Sequence, residues 1–461
     1  MINSTNIGME RTIMLFGTSG IRGDAKKFDN QFCFDIGRSF AKFLSNHHKE
    51  GGVAIGMDPR ESSQRIKDGI ARGILYEKRI VSDEGLSPSP AMNYILIADH
   101  DIAGSIMITG SHIRADFNGL KFFINPGEIL KEHEKEIEHI YEEVKDKIPF
   151  LYTGRAIIEN RANEFYRKML LGLTESYPRW KIILDCGNGS QSGIMPSLFK
   201  ELGMEPIMIN NDPIPEKFIA RDTEVKDAAN DLILKVKDSD ADLGIAYDGD
   251  GDRVVFVDSD GNFISGDYTG SLIAKYSTTD VVITPVSTSQ VVDYIGKSVI
   301  RTKVGSPYVV EAMEKYGSTF GFEANGGGIS KEVMLSRDAG SATIKILNIL
   351  NNTGMTLREL VNTLPRFFIY KTKVDCPMNL YNTILEKVRR KFENNGSVIE
   401  EVDGLKIWKN SYTWTLFRPS LNAPEFRVFA ESLSEENAKN LCEEGIELVN
   451  NYIKQEVHNG T

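Results

Sequence analysis

A chain of 461 residues, 41% hydrophobic and 26% charged, carries enough apolar material for a large core and, at ordinary domain sizes, for about three or four domains. A net charge of −11 with no basic stripe excludes a nucleic-acid-coating surface, and no run of about eighteen apolar residues marks a membrane span. The N-terminus lacks the apolar core of a signal peptide, so a cytoplasmic location is expected.

After a polar N-terminal tail, Met14-Leu15-Phe16 leads into the glycine-rich turn Gly17-Thr18-Ser19-Gly20-Ile21-Arg22-Gly23, whose hydroxyls and Arg22 suit a phosphate. Helical spacing over Phe32 to Leu44 is followed by a strand at Val53 to Gly56 that ends in Asp58-Pro59-Arg60. A later strand, Ser105 to Ile108, ends in Thr109-Gly110-Ser111-His112. Beyond a charged helix over Ile129 to Val144 the same grammar restarts: a helix near Ala162 to Leu173, a strand at Lys181 to Leu184, a polar loop, and a helix over Val225 to Val236. A third round runs from Val281-Val282-Ile283 to the strand Ser318 to Phe322, which ends in Glu323-Ala324-Asn325-Gly326-Gly327-Gly328.

These repeats predict three similar α/β domains with mainly parallel mixed sheets, at 1–153, 154–261 and 262–367, with ligand loops at the carboxyl ends of strands. From about Phe368 the order becomes strand, helix, three strands, helix, which predicts a C-terminal α+β domain over 368–461. No low-complexity linker separates the four, so they are expected to pack around a central cleft. The four cysteines, Cys33, Cys186, Cys376 and Cys442, are widely spaced without a CxxC pair and read as small buried hydrophobes rather than zinc ligands.

The most telling stretch is Asp248-Gly249-Asp250-Gly251-Asp252-Arg253, set between the apolar runs 243–247 and 254–257. Alternate residues of an extended segment point the same way, so Asp248, Asp250 and Asp252 can converge on one cation, and oxygen-only ligands suit Mg²⁺. An EF-hand is excluded, because its sixth-place glycine is Arg253 and its twelfth-place glutamate is Ser259. Three further loops carry complementary chemistry. Ser111 can carry a phosphoryl group beside His112; Glu323 and Asn325 suit sugar hydroxyls; Arg418, Ser420 and Asn422, in the loop from Arg418 to Glu425, suit a phosphate dianion. Together they point to phosphoryl transfer on a phosphorylated sugar.

In the order and spacing of these loops the chain resembles the α-D-phosphohexomutases, the superfamily of phosphomannomutases, phosphoglucomutases and phosphoglucosamine mutases. Residues 17–23 read as the family's GTSGIRG, 109–112 as its phosphoserine loop, 248–253 as its DGDGDR metal loop and 418–425 as its phosphate loop. The resemblance implies a phosphoserine at Ser111 that completes Mg²⁺ coordination with Asp248, Asp250 and Asp252, and a hexose 1,6-bisphosphate intermediate between hexose 1-phosphate and hexose 6-phosphate. It also places Arg22, Lys121 and Arg253 near the transferring group, although by its flanks, Leu120 and Phe122, Lys121 reads as a solvent-facing lysine. Mannose and glucose phosphates are the expected substrates, with glucosamine phosphate as an alternative.

Departures from the family pattern are informative. Gly110 stands for the usual alanine and Ile113-Arg114 for Asn-Pro, while Gly327 stands where many relatives carry a histidine proposed as general base. Acid/base work then falls to His112, Lys121, Arg253 or water. Two other readings compete: a hydrolase using Asp248 as nucleophile, which leaves Ser111 and the distal loop unexplained, and a non-catalytic sugar-phosphate-binding protein.

Overall fold

The computed structural model describes residues 15–17, 20–150, 154, 156–420 and 424–459. Strands such as Ile102–Ile108 and Leu243–Tyr247 are buried at every position, as continuous apolar runs are when helices cover both faces of a sheet. In the N-terminal unit Gly52–Met57 runs parallel to Val81–Leu86 on one side and to Ile102–Ile108 on the other. Phe117–Ile124 then returns antiparallel, setting Lys121 opposite Met107, and Ile21–Asp24 adds along its far end with Arg22 opposite Gly119. Ile157–Ile158, just past the boundary expected at 153, pairs with Ser82 and Asp83 of this first sheet.

The first sheet does not end at its own edge. Gly127 pairs with Leu335, which joins the first and third units into one twelve-stranded mixed sheet. A Cβ at Gly127 would stand 2.4 Å from the Leu335 carbonyl oxygen, so the junction depends on that glycine. The second unit keeps its own five-stranded sheet, in the order Phe263–Ile264, Val254–Asp258, Leu243–Tyr247, Ile182–Asp185, Ile207–Ile209. The C-terminal unit is a separate antiparallel sheet with the helices Tyr381–Glu393 and Glu435–Asn459. The predicted classes therefore hold: three α/β units, and a fourth built on antiparallel strands.

One hydrophobic cluster crosses the first three units, including Met92, Tyr166, Tyr247, Phe322 and Leu347. Within it Tyr166 donates its hydroxyl to Asp338, whose carboxylate also caps the helix Ala339–Thr353 by accepting from Gly340 N at 2.9 Å. The fourth unit is tied to the third by buried polar groups: Glu431 accepts from Gln290 Nε2 at 3.0 Å, and Lys406 donates to Val286 O at 3.1 Å. All four cysteines are buried and unpaired. Among the described residues no helix is long and apolar enough to cross a membrane.

Candidate active site

The acidic loop leaves the strand Leu243–Tyr247 and re-enters the sheet at Val254, so its three carboxylates gather at the carboxyl end of the first strand. The side chains of Asp248, Asp250 and Asp252 are buried, and each offers an oxygen within 4.8 Å of the others. Fixed partners hold them there. Lys121 Nζ reaches Asp250 Oδ2 at 2.5 Å and Asp252 Oδ2 at 2.7 Å, while Ser89 Oγ donates to Asp250 Oδ2 at 2.5 Å. Ser190 Oγ and Gln191 Nε2 bind the loop's carbonyls at Gly249 and Gly251. At Gly251 (φ +67°) a Cβ would meet Gln191 Cγ at 2.5 Å, so the turn needs glycine there.

Lys121 is thus not the solvent-facing residue its neighbours suggested. It is 2% exposed, and although burial opposes its charge, Asp250 and Asp252 raise its pKa and keep it an ammonium. Burial opposes ionisation of Asp250 as well, but Lys121 and Ser89 hold it far below the usual carboxylate range. Arg253 Nε stands 4.0 Å from Asp248 Oδ2, yet burial, with Asp250 and Asp252 alongside, pushes this carboxyl well up. Among the described residues Asp250 Oδ1 and Asp252 Oδ1 are buried without a hydrogen-bond partner. Lys121 sits on the Oδ2 atoms, and even with Arg253 Nε 3.7 Å from Asp252 Oδ1 both Oδ1 atoms keep their hydrogen-bonding capacity unused, which fits Mg²⁺.

Ser111 follows the strand Ile102–Ile108 in a left-handed conformation, φ +53°, unusual for a residue with a side chain. Its Oγ lies 3.2 Å from Asp248 Oδ2 and 3.5 Å from His112 Nδ1. Arg60 clamps the loop around it. Its guanidinium donates to the carbonyls of Ser111 (2.6 Å), Ile113 (2.8 Å), Arg114 (2.5 Å) and Phe117 (3.0 Å), pairs with Asp58 at 2.9 Å and lies 4.5 Å from the Phe218 ring centroid. The unusual Gly110 has its reason here, because a Cβ would stand 2.8 Å from Arg60 Cζ. His112 is kept uncharged by burial and by Arg253 and Arg22. Arg22, pushed down to about 10 by burial with Arg253 and Arg337 nearby, belongs to the same cationic cluster; Arg253 Nε is 3.7 Å from Asp252 Oδ1.

In the third unit Glu323 follows the strand Phe320–Phe322, and its Oε2 accepts from Arg337 Nη1 at 2.9 Å. Asn325 Oδ1 accepts from Gly327 N at 3.2 Å, which closes the turn. In the fourth unit Arg418 is buried and its Nε binds Asp403 Oδ2 at 2.5 Å, so the guanidinium expected to clasp a phosphate already holds a carboxylate. Ser420 is buried, with its N–H bonded to Glu425 O at 2.9 Å, and Asn422 lies outside the described residues. Sequence reasoning missed Ser89, Arg60 and Arg337. The available signals were Pro88-Ser89-Pro90 at a helix start, Arg60 three residues past the strand Gly52–Met57, and Arg337 next to last in the strand Met334–Asp338.

This assembly defines an α/β enzyme class that gathers a serine, three carboxylates and several guanidiniums from separate units. Family models described as phosphoglucomutase/phosphomannomutase α/β/α domains I, II and III match residues 14–147, 165–261 and 265–368. A probable phosphoglucosamine mutase of Pyrococcus abyssi is 34% identical, covering 95% of this chain and 98% of the relative. A phosphoglucomutase/phosphomannomutase of Thermococcus kodakarensis is 33% identical over 95% of this chain and 99% of its own. Among solved structures, a phosphoglucomutase/phosphomannomutase family protein of Burkholderia thailandensis shares the fold with TM-score 0.81 and 21% identity, over 95% of this chain and 97% of that one. The chain belongs to the phosphoglucomutase/phosphomannomutase family, the α-D-phosphohexomutases, and is an isomerase-class phosphotransferase.

Proposed function

We propose that the protein interconverts hexose 1-phosphate and hexose 6-phosphate through a phosphoserine at Ser111 and a hexose 1,6-bisphosphate intermediate. The observation that carries this reading is Ser111 Oγ at 3.2 Å from Asp248 Oδ2, on the rim of a buried three-carboxylate cluster with unpartnered oxygens. Asp248, Asp250 and Asp252 would hold Mg²⁺, together with an oxygen of the phosphorylated Ser111. Bound there, the ion supplies Lewis-acid stabilisation of charge on the phosphoryl group.

The chain's own residues divide the remaining work. In the first transfer the phosphoryl group leaves Ser111 Oγ for the free hydroxyl of the sugar monophosphate, and in the second the other phosphoryl group of the bisphosphate returns to Ser111. Arg22 and Arg253 stabilise the equatorial oxygens in a water-poor site, where fixed cations act most strongly. Uncharged His112, with Nδ1 3.5 Å from Ser111 Oγ, takes and returns the hydroxyl proton, whereas Lys121, locked as an ammonium between two aspartates, serves as a donor. Glu323 and Asn325 receive the sugar hydroxyls, and Arg418 with Ser420 and Asn422 holds the phosphate that is not being transferred.

Mannose and glucose phosphates are the substrates this reading names, since contacts to O3 and O4 would not distinguish them. Glucosamine phosphate is the second reading, favoured by the name of the 34% identical Pyrococcus relative. A side-by-side assay of mannose, glucose and glucosamine 1-phosphates with Mg²⁺ and a trace of hexose 1,6-bisphosphate, followed by phosphorus NMR, tests both. Formation of a 6-phosphate supports the mutase, and release of inorganic phosphate alone contradicts it.

A further inference from the structure

Position 327 is closed to any side chain in this protein. A Cβ on Gly327 would stand 2.3 Å from the carbonyl oxygen of Asp252 and 3.0 Å from Arg337 Cβ. At Gly326, φ +86°, a Cβ would stand 1.8 Å from the Val254 carbonyl oxygen. The sugar loop and the metal loop therefore lie backbone against backbone, which two adjacent glycines permit. The side chain running through the space beside Gly327 comes from Arg337, at the end of the strand Met334–Asp338.

Arg337 is 5% exposed and spans two loops with one guanidinium. Nη1 donates to Glu323 Oε2 at 2.9 Å; Nε donates to Asp252 Oδ2 at 3.2 Å, with Nη2 2.9 Å from the same oxygen. Both contacts fall on the second oxygen of each carboxylate. Among the described residues Asp252 Oδ1 remains without a hydrogen-bond partner. A planar fork can hold two carboxylates at a fixed separation, whereas an ammonium is a point charge that would favour one of them.

We propose that Arg337 is a positioning residue for phosphoryl transfer: a strut between Asp252 and Glu323 that fixes the sugar-binding carboxylate relative to the cation-binding one. Its role in turnover rests on the mutase reading above, whereas its action on the cation site does not. Losing the strut lets Glu323 drift, and an ångström of drift in a substrate-holding group costs phosphoryl transfer about a hundredfold. Losing the charge also makes the aspartate cluster more negative, so an isolated Mg²⁺ is held more tightly.

The test uses the full chain as Arg337→Met, Arg337→Lys, Glu323→Gln and the double variant Arg337→Met/Glu323→Gln. Magnesium affinity is measured by titration calorimetry on dephosphorylated protein, and kcat and KM are measured with glucose 1-phosphate. Arg337→Met should lower kcat about a hundredfold, and the double variant should be no more than roughly threefold worse than the poorer single one, because both changes remove the same strut. Arg337→Lys should recover less than about a tenth of the activity, while Mg²⁺ affinity should rise on the order of tenfold in Arg337→Met and stay near the unmodified value in Arg337→Lys. Fully multiplicative losses in the double variant, full activity in Arg337→Lys, or weakened Mg²⁺ binding in Arg337→Met would each overturn the proposal. Should Arg337→Met not fold, Arg337→Lys and Glu323→Gln carry the same decision. If the unmodified protein turns over no hexose phosphate, the mutase reading fails, and the Mg²⁺ measurements still decide whether Arg337 bears on the cation site.

Discussion

Replacing Arg60 by methionine keeps the volume of the side chain and removes its five donors. In the native protein those donors hold four carbonyls of the serine loop and its exit, and pair with Asp58, with both partners fully buried. Removing one member of a buried ion pair costs about 3–5 kcal/mol. Asp58 keeps Ser63 Oγ at 2.9 Å and Thr109 Oγ1 at 2.7 Å, which places the loss at the lower end of that range. Freed of its clamp, Ser111 should relax from φ +53°, a conformation costing about 1–3 kcal/mol, and its Oγ should leave Asp248. Thermal melting should show a lower Tm, and steady-state kinetics a kcat down about a hundredfold with KM changed by less than about threefold, since the lost contacts are to the loop rather than to the substrate. A folded Arg60→Met protein with kcat within about twofold of the unmodified enzyme would show that the loop holds its shape without the clamp.

Three other expectations follow from specific contacts. Asp250→Asn removes an anionic oxygen from the proposed Mg²⁺ site, and titration calorimetry should show weaker Mg²⁺ binding in a folded protein, whereas unchanged affinity would remove Asp250 from the ligand set. Arg418→Ala should raise KM about tenfold to a hundredfold, from a charge-assisted bond of about 1.5–3 kcal/mol, and should increase the need for added hexose 1,6-bisphosphate; if neither rises, the distal phosphate is held elsewhere. Burial, and then Arg301, pushes the Lys406 ammonium down to about 7, although Trp414 and Trp408 face it at 4.1 and 4.9 Å. Between about pH 7 and pH 10 the unfolded lysine binds a proton that the folded one lacks, so stability should rise with pH by up to about 1.4 kcal/mol per unit from this group. Lys406→Met should abolish that rise in a pH series of melting curves, and an unchanged pH dependence would contradict the assignment.

How much was legible in the sequence depended on whether the chemistry was local. Asp248, Asp250 and Asp252 announce themselves because alternation and two glycines force convergence within five residues, and Ser111 because a polar loop ends an apolar strand. Lys121 misled, since alternation correctly placed it on the face opposite Leu120 and Phe122, yet that face is covered by the acidic loop of another unit. Arg60 and Arg337 were invisible for the same reason: the loop residues they reach, Ser111 and Asp252, lie 51 and 85 residues away in the chain, and a lone arginine carries no local signature. The joined sheet could not be foreseen either, because a single pairing, Gly127 with Leu335, makes the connection. Gly110 and Gly327 read as departures from the family pattern in the sequence, and in the structure an arginine side chain lies against each, Arg60 at Gly110 and Arg337, with the Asp252 carbonyl, at Gly327.

The central claim, that Ser111 carries the phosphoryl group, is tested most directly by intact-protein and peptide mass spectrometry before and after incubation with glucose 1,6-bisphosphate, on the unmodified chain and on Ser111→Ala. The account predicts one added phosphate, mapped to Ser111, that is lost on incubation with excess hexose monophosphate, and no phosphate and no multiple-turnover mutase activity in Ser111→Ala. A phosphate mapped to another residue, or near-normal turnover by the alanine variant, would contradict it.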